Sequence, residues 1–464
     1  MKKLLLTLVA LAVVVLAAAL VYAFIPTKTP SIAGGEPAAG DTTLIAQGKY
    51  LAAAGDCTAC HTAPGGKPFA GGLPIASPIG TIYSTNITPD AQTGIGKYTL
   101  EDFDRAVRHG IAPNGSTLYP AMPYPSYVRM TDADTRALYA YFKHGVPAVK
   151  ADNRGSDITW PLSMRWPLAI WRKTFAPDPQ RPGFDASAYG NPQIARGAYL
   201  VQGPGHCGSC HTPRAQTLQE LALSERDGQP GAYLSGGQVI DGWVAVNLRG
   251  NPADGLGAWS QQDIVDTLKT ARNPHTAVVG SAMADVVEHS TQHLSDQDLA
   301  AMAAYLKTLP ASTHDVASFK ADPATATALQ SGVNSSRGAE LYVDNCAACH
   351  RTDAQGYAHA FPKVAGNPSV LAQDPATLVR LILAGSALPS TNAAPSNLGM
   401  PGFAWRLSDQ EVAELGTFIR SSWGNRASAV TVAQVKSVRE SLAKAGVPKH
   451  EAPHDPTQAD AGDK

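Results

Sequence analysis

The chain opens on an uncharged, apolar run from Leu4 to Ile25, preceded by Lys2-Lys3 and ended by Pro26. Such a run exceeds the roughly 7–15 residues of a signal-peptide core and reaches the roughly 20 that span a bilayer. Val21-Tyr22-Ala23 still offers a small-residue cleavage site. A retained anchor and a cleaved signal are therefore both open, with run length favouring the anchor. In either case the two lysines stay cytoplasmic and the chain after Pro26 is exported.

Beyond Pro26 the apolar positions recur at helical spacing in three rounds. Leu100-Glu-Asp-Phe-Asp-Arg-Ala-Val, Gln262-Asp-Ile-Val-Asp-Thr-Leu and Ala376-Thr-Leu-Val-Arg-Leu-Ile-Leu predict a middle helix in each round. Closing helices are predicted after Thr131, Ser295 and Ser408, each with an acidic residue three positions on, the signature of a capped helix start. Asn86-Ile87 precedes Gly94-Ile-Gly96 by the same offset as Asn247-Leu248 precedes Gly255-Leu-Gly257, so the first two rounds share an inner loop. Strand-like alternation is scarce.

Composition narrows the picture further. The 37 Lys+Arg and 38 Asp+Glu leave a net charge of −1, which excludes the basic field of a nucleic-acid binder. The 42 Gly and 35 Pro require long loops between the helices.

All six cysteines fall in one motif. Cys57-Thr-Ala-Cys60-His61, Cys207-Gly-Ser-Cys210-His211 and Cys346-Ala-Ala-Cys349-His350 each end a longer repeated stretch that begins Gln47-Gly-Lys-Tyr-Leu, Arg196-Gly-Ala-Tyr-Leu and Arg337-Gly-Ala-Glu-Leu. Cys-x-x-Cys-His is a haem c attachment signal: two thiols one helical turn apart add to the haem vinyl groups, and the His lies beneath the iron. A zinc site, a redox dithiol or chance are the bland alternatives. Three copies that consume every cysteine of an exported chain favour three covalent haem c groups.

A low-spin carrier needs a second axial ligand, commonly Met. Met122 in Pro120-Ala-Met-Pro-Tyr124 and Met400 in Gly399-Met-Pro-Gly-Phe occupy the same place, between middle and closing helices. Met283 in Gly280-Ser-Ala-Met-Ala-Asp285 has the equivalent slot without the following Pro, and His289 competes with it. Met130 and Met302 read as packing, and Met164 lies in a linker. The literal G-x-G-x-x-G at Gly203–Gly208 overlaps the second motif and follows no strand, so it is no dinucleotide site.

Two segments keep two readings each. Trp160, Trp166 and Trp171, in a Pro-rich stretch, form either a docking strip for a partner or a clamped linker. Val430 to Leu442 predicts an amphipathic helix that either lies on a membrane or partner, or covers the third round; the covering role is the expectation. A polar tail follows Gly446.

These motifs, with Ile82-Tyr-Ser-Thr-Asn-Ile-Thr-Pro-Asp90, Ala121-Met-Pro-Tyr124 and Met400-Pro-Gly-Phe, span about residues 45–425. In them the chain resembles the tri-haem cytochrome c subunits of bacterial membrane-bound alcohol, gluconate and related sugar dehydrogenases. The resemblance implies a mostly α fold: three tandem class I cytochrome c-like domains with Gly/Pro-rich loops after an N-terminal apolar helix. Expected boundaries are 1–26 for the signal or anchor, 27–42 linker, 43–150 first domain and 151–190 Pro/Trp-rich linker. They continue as 191–311 second domain, 312–332 linker, 333–426 third domain, and 427–464 amphipathic segment and tail.

The resemblance also implies a separate catalytic dehydrogenase subunit, of flavin, pyrroloquinoline quinone or molybdenum type, whose electrons pass through the haems to membrane ubiquinone. The location implied is the periplasmic side of the inner membrane. The sequence shows no flavin or nicotinamide fingerprint and no nucleophile motif, so no catalytic residue is assigned. The alternative function is a haem enzyme, a peroxidase or reductase, with one open or ligand-exchanging iron; the second domain, with its weaker Met context, is where that would arise.

Overall fold

A computed structural model describes residues 1–180, 183–276, 282–312, 319–333 and 336–444. The tail after Gly446, the Gly280-Ser281 approach to Met283 and part of the 312–332 linker lie outside the described residues. Among those described, helices dominate, and regular strands are limited to three short antiparallel hairpins. These pair Pro74–Ser77 with Gly80–Tyr83, Val239–Ile240 with Trp243–Val244, and Ser386–Ala387 with Gly399–Met400.

Each round of the sequence pattern folds into the same three-helix frame. Opening helices are Thr42–Ala54, Pro192–Gln202 and Arg337–Asn345; middle helices are Leu100–His109, Gln261–Thr270 and Ala376–Ala384. Closing helices are Asp132–Ala140, Asp296–Leu306 and Asp409–Ser421. Thr131, Ser295 and Ser408 each accept a hydrogen bond from the backbone N–H three residues on, which satisfies a donor the helix start leaves open.

The repeated glycine of the opening helices has a common cause. A Cβ on Gly48 would stand 1.9 Å from the Ala137 carbonyl oxygen, one on Gly197 1.9 Å from that of Ala301, and one on Gly338 2.5 Å from that of Glu414. Only a residue without a side chain lets the opening helix meet the closing helix backbone to backbone.

The chain forms two compact units. One comprises Met1–Ala195 with Tyr199–His206, and the other comprises Arg196–Ala198 with the chain from Cys207 onward. In the first unit a core around Leu51, Phe103, Leu138 and Phe142 fills the first repeat. In the second unit the second and third repeats are hydrogen-bonded to each other. The Val244 N–H donates to Thr377 Oγ1 at 2.8 Å, and Arg272 donates to the His359 carbonyl at 3.2 Å and the Ser396 carbonyl at 2.5 Å.

Three segments depart from or refine the expectation. The C-terminal helix Val432–Lys444 buries Val435 and Leu442 in the third repeat's core, and Arg439 donates to Asp409 and to the Ala404 and Leu407 carbonyls; it covers that repeat. Leu329, in the expected linker, sits in the same core, with Phe319 packed against it. Part of the Trp-rich linker is a helix, Trp166–Phe175, packed against the N-terminal helix Lys2–Phe24.

The N-terminal helix is, among the described residues, the one long and apolar enough to cross a membrane. Its aliphatic side chains from Leu4 to Leu16 stand exposed, as a bilayer-facing surface requires. The Lys173 ammonium donates to the carbonyls of Tyr22, Ala23 and Ile25 at its C-terminal end, where a cation complements the helix dipole.

Candidate haem sites

In all three repeats the opening helix runs into a single helical turn: Cys57–His61, Gly208–His211 and Ala347–His350. Asp56 (φ 51°) and His206 (φ 38°) take the left-handed conformation immediately before the first cysteine of their motifs, which turns the chain sharply out of the helix. The helical turn places the two cysteines on one side, three residues apart. The first and third pairs are asymmetric in exposure. Cys60 and Cys349 are exposed, whereas burial pushes the Cys57, Cys207 and Cys346 thiols up to about 12. The inner sulfurs are therefore protonated thiols at neutral pH, and none of the six cysteines is in a disulfide.

The three histidines share one arrangement. His61 Nδ1 lies 2.7 Å from the Thr85 carbonyl oxygen, His211 Nδ1 2.7 Å from that of Val246, and His350 Nδ1 2.8 Å from that of Pro362. A carbonyl can only accept, so Nδ1 carries the proton and Nε2 keeps its lone pair. Desolvation lowers the pKa of all three, more than the carbonyl bonds raise it, which holds the rings neutral. A neutral imidazole with Nδ1–H anchored to the backbone is an oriented Nε2 metal ligand.

The methionines stand in three local settings. Met122 occupies a turn in which its N–H donates to the Tyr119 carbonyl and its own carbonyl accepts from Tyr124 at 2.8 Å. Its side chain and that of Cys57 both pack, partly buried, against the first repeat's core. Met400 lies on a strand opposite Ser386. Gly385 (φ 69°) lets that strand close on the middle helix: a Cβ there would stand 2.2 Å from the Met400 carbonyl oxygen. Met283 instead sits in the first turn of helix Ala282–His289, whose last residue is the competing His289. Six residues of helix separate them by about 120° around the axis, so the two cannot present to the same point.

The donor sets fit haem c. Each repeat offers two sulfurs one helical turn apart, an Nε2 lone pair directly after them, and a thioether between middle and closing helices. A zinc site fits less well: among the described residues no group of three or more His, Cys, Asp or Glu side chains is arranged to hold a metal ion.

Sequence reasoning did not find the carbonyl acceptors of Thr85, Val246 and Pro362, since any residue can supply one. It also missed Tyr127, whose buried hydroxyl donates to the Gly55 carbonyl at 2.9 Å. That bond fastens the segment after Met122 to the turn before Cys57.

The sequence profile of cytochrome c matches residues 45–145, 194–310 and 335–423, one match per repeat. The chain is 56% identical over 400 residues to the gluconate 2-dehydrogenase cytochrome c subunit of Pantoea cypripedii, covering 86% of this chain and 90% of that protein. It is 54% identical over 402 residues to the cytochrome c subunit of the alcohol dehydrogenase (quinone) of Gluconacetobacter polyoxogenes, covering 86% and 85%. A more distant relative is the fructose dehydrogenase cytochrome subunit of Gluconobacter japonicus, 38% identical over 423 residues, covering 87% and 84%.

Proposed function

The chain belongs to the cytochrome c family, as the cytochrome c subunit of a dehydrogenase complex, and on that premise we propose that it relays electrons to membrane ubiquinone. Three haem c groups are held through Cys57/Cys60, Cys207/Cys210 and Cys346/Cys349. His61, His211 and His350, together with Met122, Met283 and Met400, would supply the ligands to the irons. When bound, haem c supplies a one-electron iron couple. The observation that carries the reading is the threefold Nδ1–carbonyl bond, which gives every motif an oriented, neutral imidazole.

The protein's own part is to hold the donors and set their electronics. Thioether ligation favours reduced iron and raises its potential. Substrate chemistry belongs to a separate catalytic subunit of flavin, pyrroloquinoline quinone or molybdenum type. The N-terminal helix anchors the chain in the inner membrane with the haem domains on the periplasmic side. Lys173 supports retention of that helix, because its ammonium binds carbonyls on both sides of the Ala23 cleavage point.

A pyridine haemochrome assay on the mature chain should give about three haems, one per attachment motif. In the complete complex, the partner's substrate should reduce all of them, and ubiquinone-1 should reoxidise them. Two haems or fewer, or robust peroxide turnover by the isolated subunit, would overturn the reading in favour of a haem enzyme.

A further inference from the structure

The second and third repeats are fastened together in the segments that carry their proposed methionine ligands. After Met283, Gln292 Oε1 accepts from the backbone N–H of Asn392 at 2.9 Å, and Asn392 lies on the approach to Met400. Before Met283, the connection is made by Arg272. Ala271 ends the middle helix in the left-handed conformation (φ 62°), so the chain turns out of that helix directly before Arg272. The two methionine segments are thus bonded to each other from both sides of Met283.

Arg272 is 7% exposed, yet its bonds all leave its own repeat. Nη1 donates to the His359 carbonyl at 3.2 Å, and Nη2 donates to the carbonyls of Ala394 at 3.4 Å and Ser396 at 2.5 Å. His359 sits in the turn between Tyr357 and Phe361, which two 2.9 Å backbone bonds close. The next residue after that turn is Pro362, whose carbonyl accepts from His350 Nδ1. Ser396 stands four residues before Met400. One guanidinium therefore joins the loop that orients the third histidine to the loop that leads to the third methionine.

The charge matters as much as the bonds. Among the described residues the partners of Arg272 are these carbonyls, and no carboxylate pairs with it. A guanidinium does not give up its proton in a protein, so a whole positive charge is held here away from water. Such a charge is screened far less than one at the surface. An iron that gains an electron loses one positive charge, so a fixed cation in its surroundings favours the reduced state.

We propose that Arg272 is a positioning residue that works across repeats: from the second repeat it holds both ligand-bearing loops of the third haem site, and its charge raises the reduction potential of that haem. This deepens, and rests on, the electron-transfer reading above. The third site is then not self-contained, because part of what sets its ligands and its potential is supplied by the neighbouring repeat.

The test is a redox titration of the full-length chain with its three haems, followed in the visible spectrum. Arg272→Gln keeps a donor amide and removes the charge. It should lower the potential of one haem by about three- to tenfold in the one-electron equilibrium, roughly 30–60 mV. Arg272→Lys keeps the charge but not the planar fork, and should hold that potential near the wild-type value while lowering the melting temperature. Met400→Ala marks the third haem by its lowered potential, and adding Arg272→Gln to it should move that same wave. Should Arg272→Gln fail to retain a haem, the one lost should be the third, and Arg272→Lys should restore it. Unchanged potentials with full haem content in Arg272→Gln would overturn the proposal. So would equal shifts in the Lys and Gln variants, a shift confined to the first or second haem, or loss of all three haems in both variants. A wild-type chain without reversible low-spin haem waves would overturn the electron-transfer reading itself.

Discussion

The Tyr127 hydroxyl donates to the Gly55 carbonyl at 2.9 Å, with both residues buried. Tyr127 ends the short helix Tyr124–Tyr127 that follows Met122, and Gly55 caps the opening helix two residues before Cys57. One bond thus ties the segment that follows Met122 to the segment that leads into Cys57, the two parts of the proposed first haem site. A Cβ on Gly55 would stand 3.5 Å from Cys57 Sγ and 3.6 Å from the Tyr127 hydroxyl, so hydroxyl and thiol share the same small space. Tyr127→Phe leaves the Gly55 carbonyl buried and unpaired, a loss of roughly 1–3 kcal/mol. The expected outcome is a weakened methionine-to-iron absorption band from the first haem and an earlier thermal transition, with the second and third haems unaffected. An unchanged band and melting curve would show that the bond does not hold the Met122 segment.

The proposed iron ligands are separable by mutation. Met122→Ala and Met400→Ala should each convert one low-spin centre to high-spin or misligated iron and lower its potential, since the thioether favours the reduced state. Met283→Ala should do the same for the second haem, while His289→Ala should leave spectrum and potentials alone. Redox titration followed in the visible spectrum reads both. If instead His289→Ala lowers a potential and Met283→Ala does not, the ligand assignment in the second repeat reverses.

The opening-helix glycines give a packing prediction. A Cβ 1.9 Å from a backbone carbonyl must push two helices apart. Overpacking of this kind costs typically 1–3 kcal/mol, about that or more here because the obstacle is backbone. Gly48→Ala, Gly197→Ala and Gly338→Ala should each reduce haem retention in their own repeat. Gly155→Ala, with nothing within 4 Å of the added carbon, serves as the neutral control. Equal haem content in all four variants would contradict the close crossing.

The three Cys-x-x-Cys-His motifs and the Ser/Thr caps were legible in the sequence because each depends on particular side chains at a fixed spacing; the glycines were visible as part of the repeat, but the helix crossing that requires them was not. The Nδ1 acceptors were not legible either. Thr85 and Pro362 act through carbonyls that carry no residue signature, and they lie 24 and 12 residues from their histidines. Helix Trp166–Phe175 was hidden for another reason: Trp and Pro at its start dominate its local signal, and its packing on the N-terminal helix is a contact across some 150 residues of sequence. The helical setting of Met283 was equally invisible, since its position between middle and closing helices matched that of Met122 and Met400 and carried no helix signal of its own.

His109 predicts an acid-sensitive step. Burial, with the Arg108, Arg172 and Arg105 charges and against the weaker pull of Asp132, lowers its pKa from 6.5 to about 4. Its folded form therefore resists a proton that the unfolded chain accepts. The associated stability is fully present above pH 6.5 and is lost as pH falls toward 4. A depression of that size corresponds to roughly 3 kcal/mol as an order of magnitude. His109→Gln, which cannot titrate, should flatten the pH dependence of the first repeat's unfolding between pH 6.5 and 4. Parallel curves for wild type and variant across that window would show that His109 does not titrate as its burial requires.

The last prediction concerns the N-terminus. Cleavage after Ala23 would remove the Tyr22 and Ala23 carbonyls that Lys173 binds and leave its ammonium with Ile25 alone among those three. It would also place a new charged amine beside a lysine and the buried Arg172, a like-charge cluster. Retention avoids both penalties. Intact-mass measurement of the mature protein should therefore begin at Met1 or Lys2, and the protein should stay with membranes through a high-salt wash. Lys173→Ala should leave the chain in the membrane, because the apolar helix supplies the anchoring. It should loosen the helix end, read as faster hydrogen exchange at residues 22–27 and in helix Trp166–Phe175. A mature start at Phe24 together with release by salt would show that the helix is a signal, and the membrane attachment would then have to come from the partner subunit.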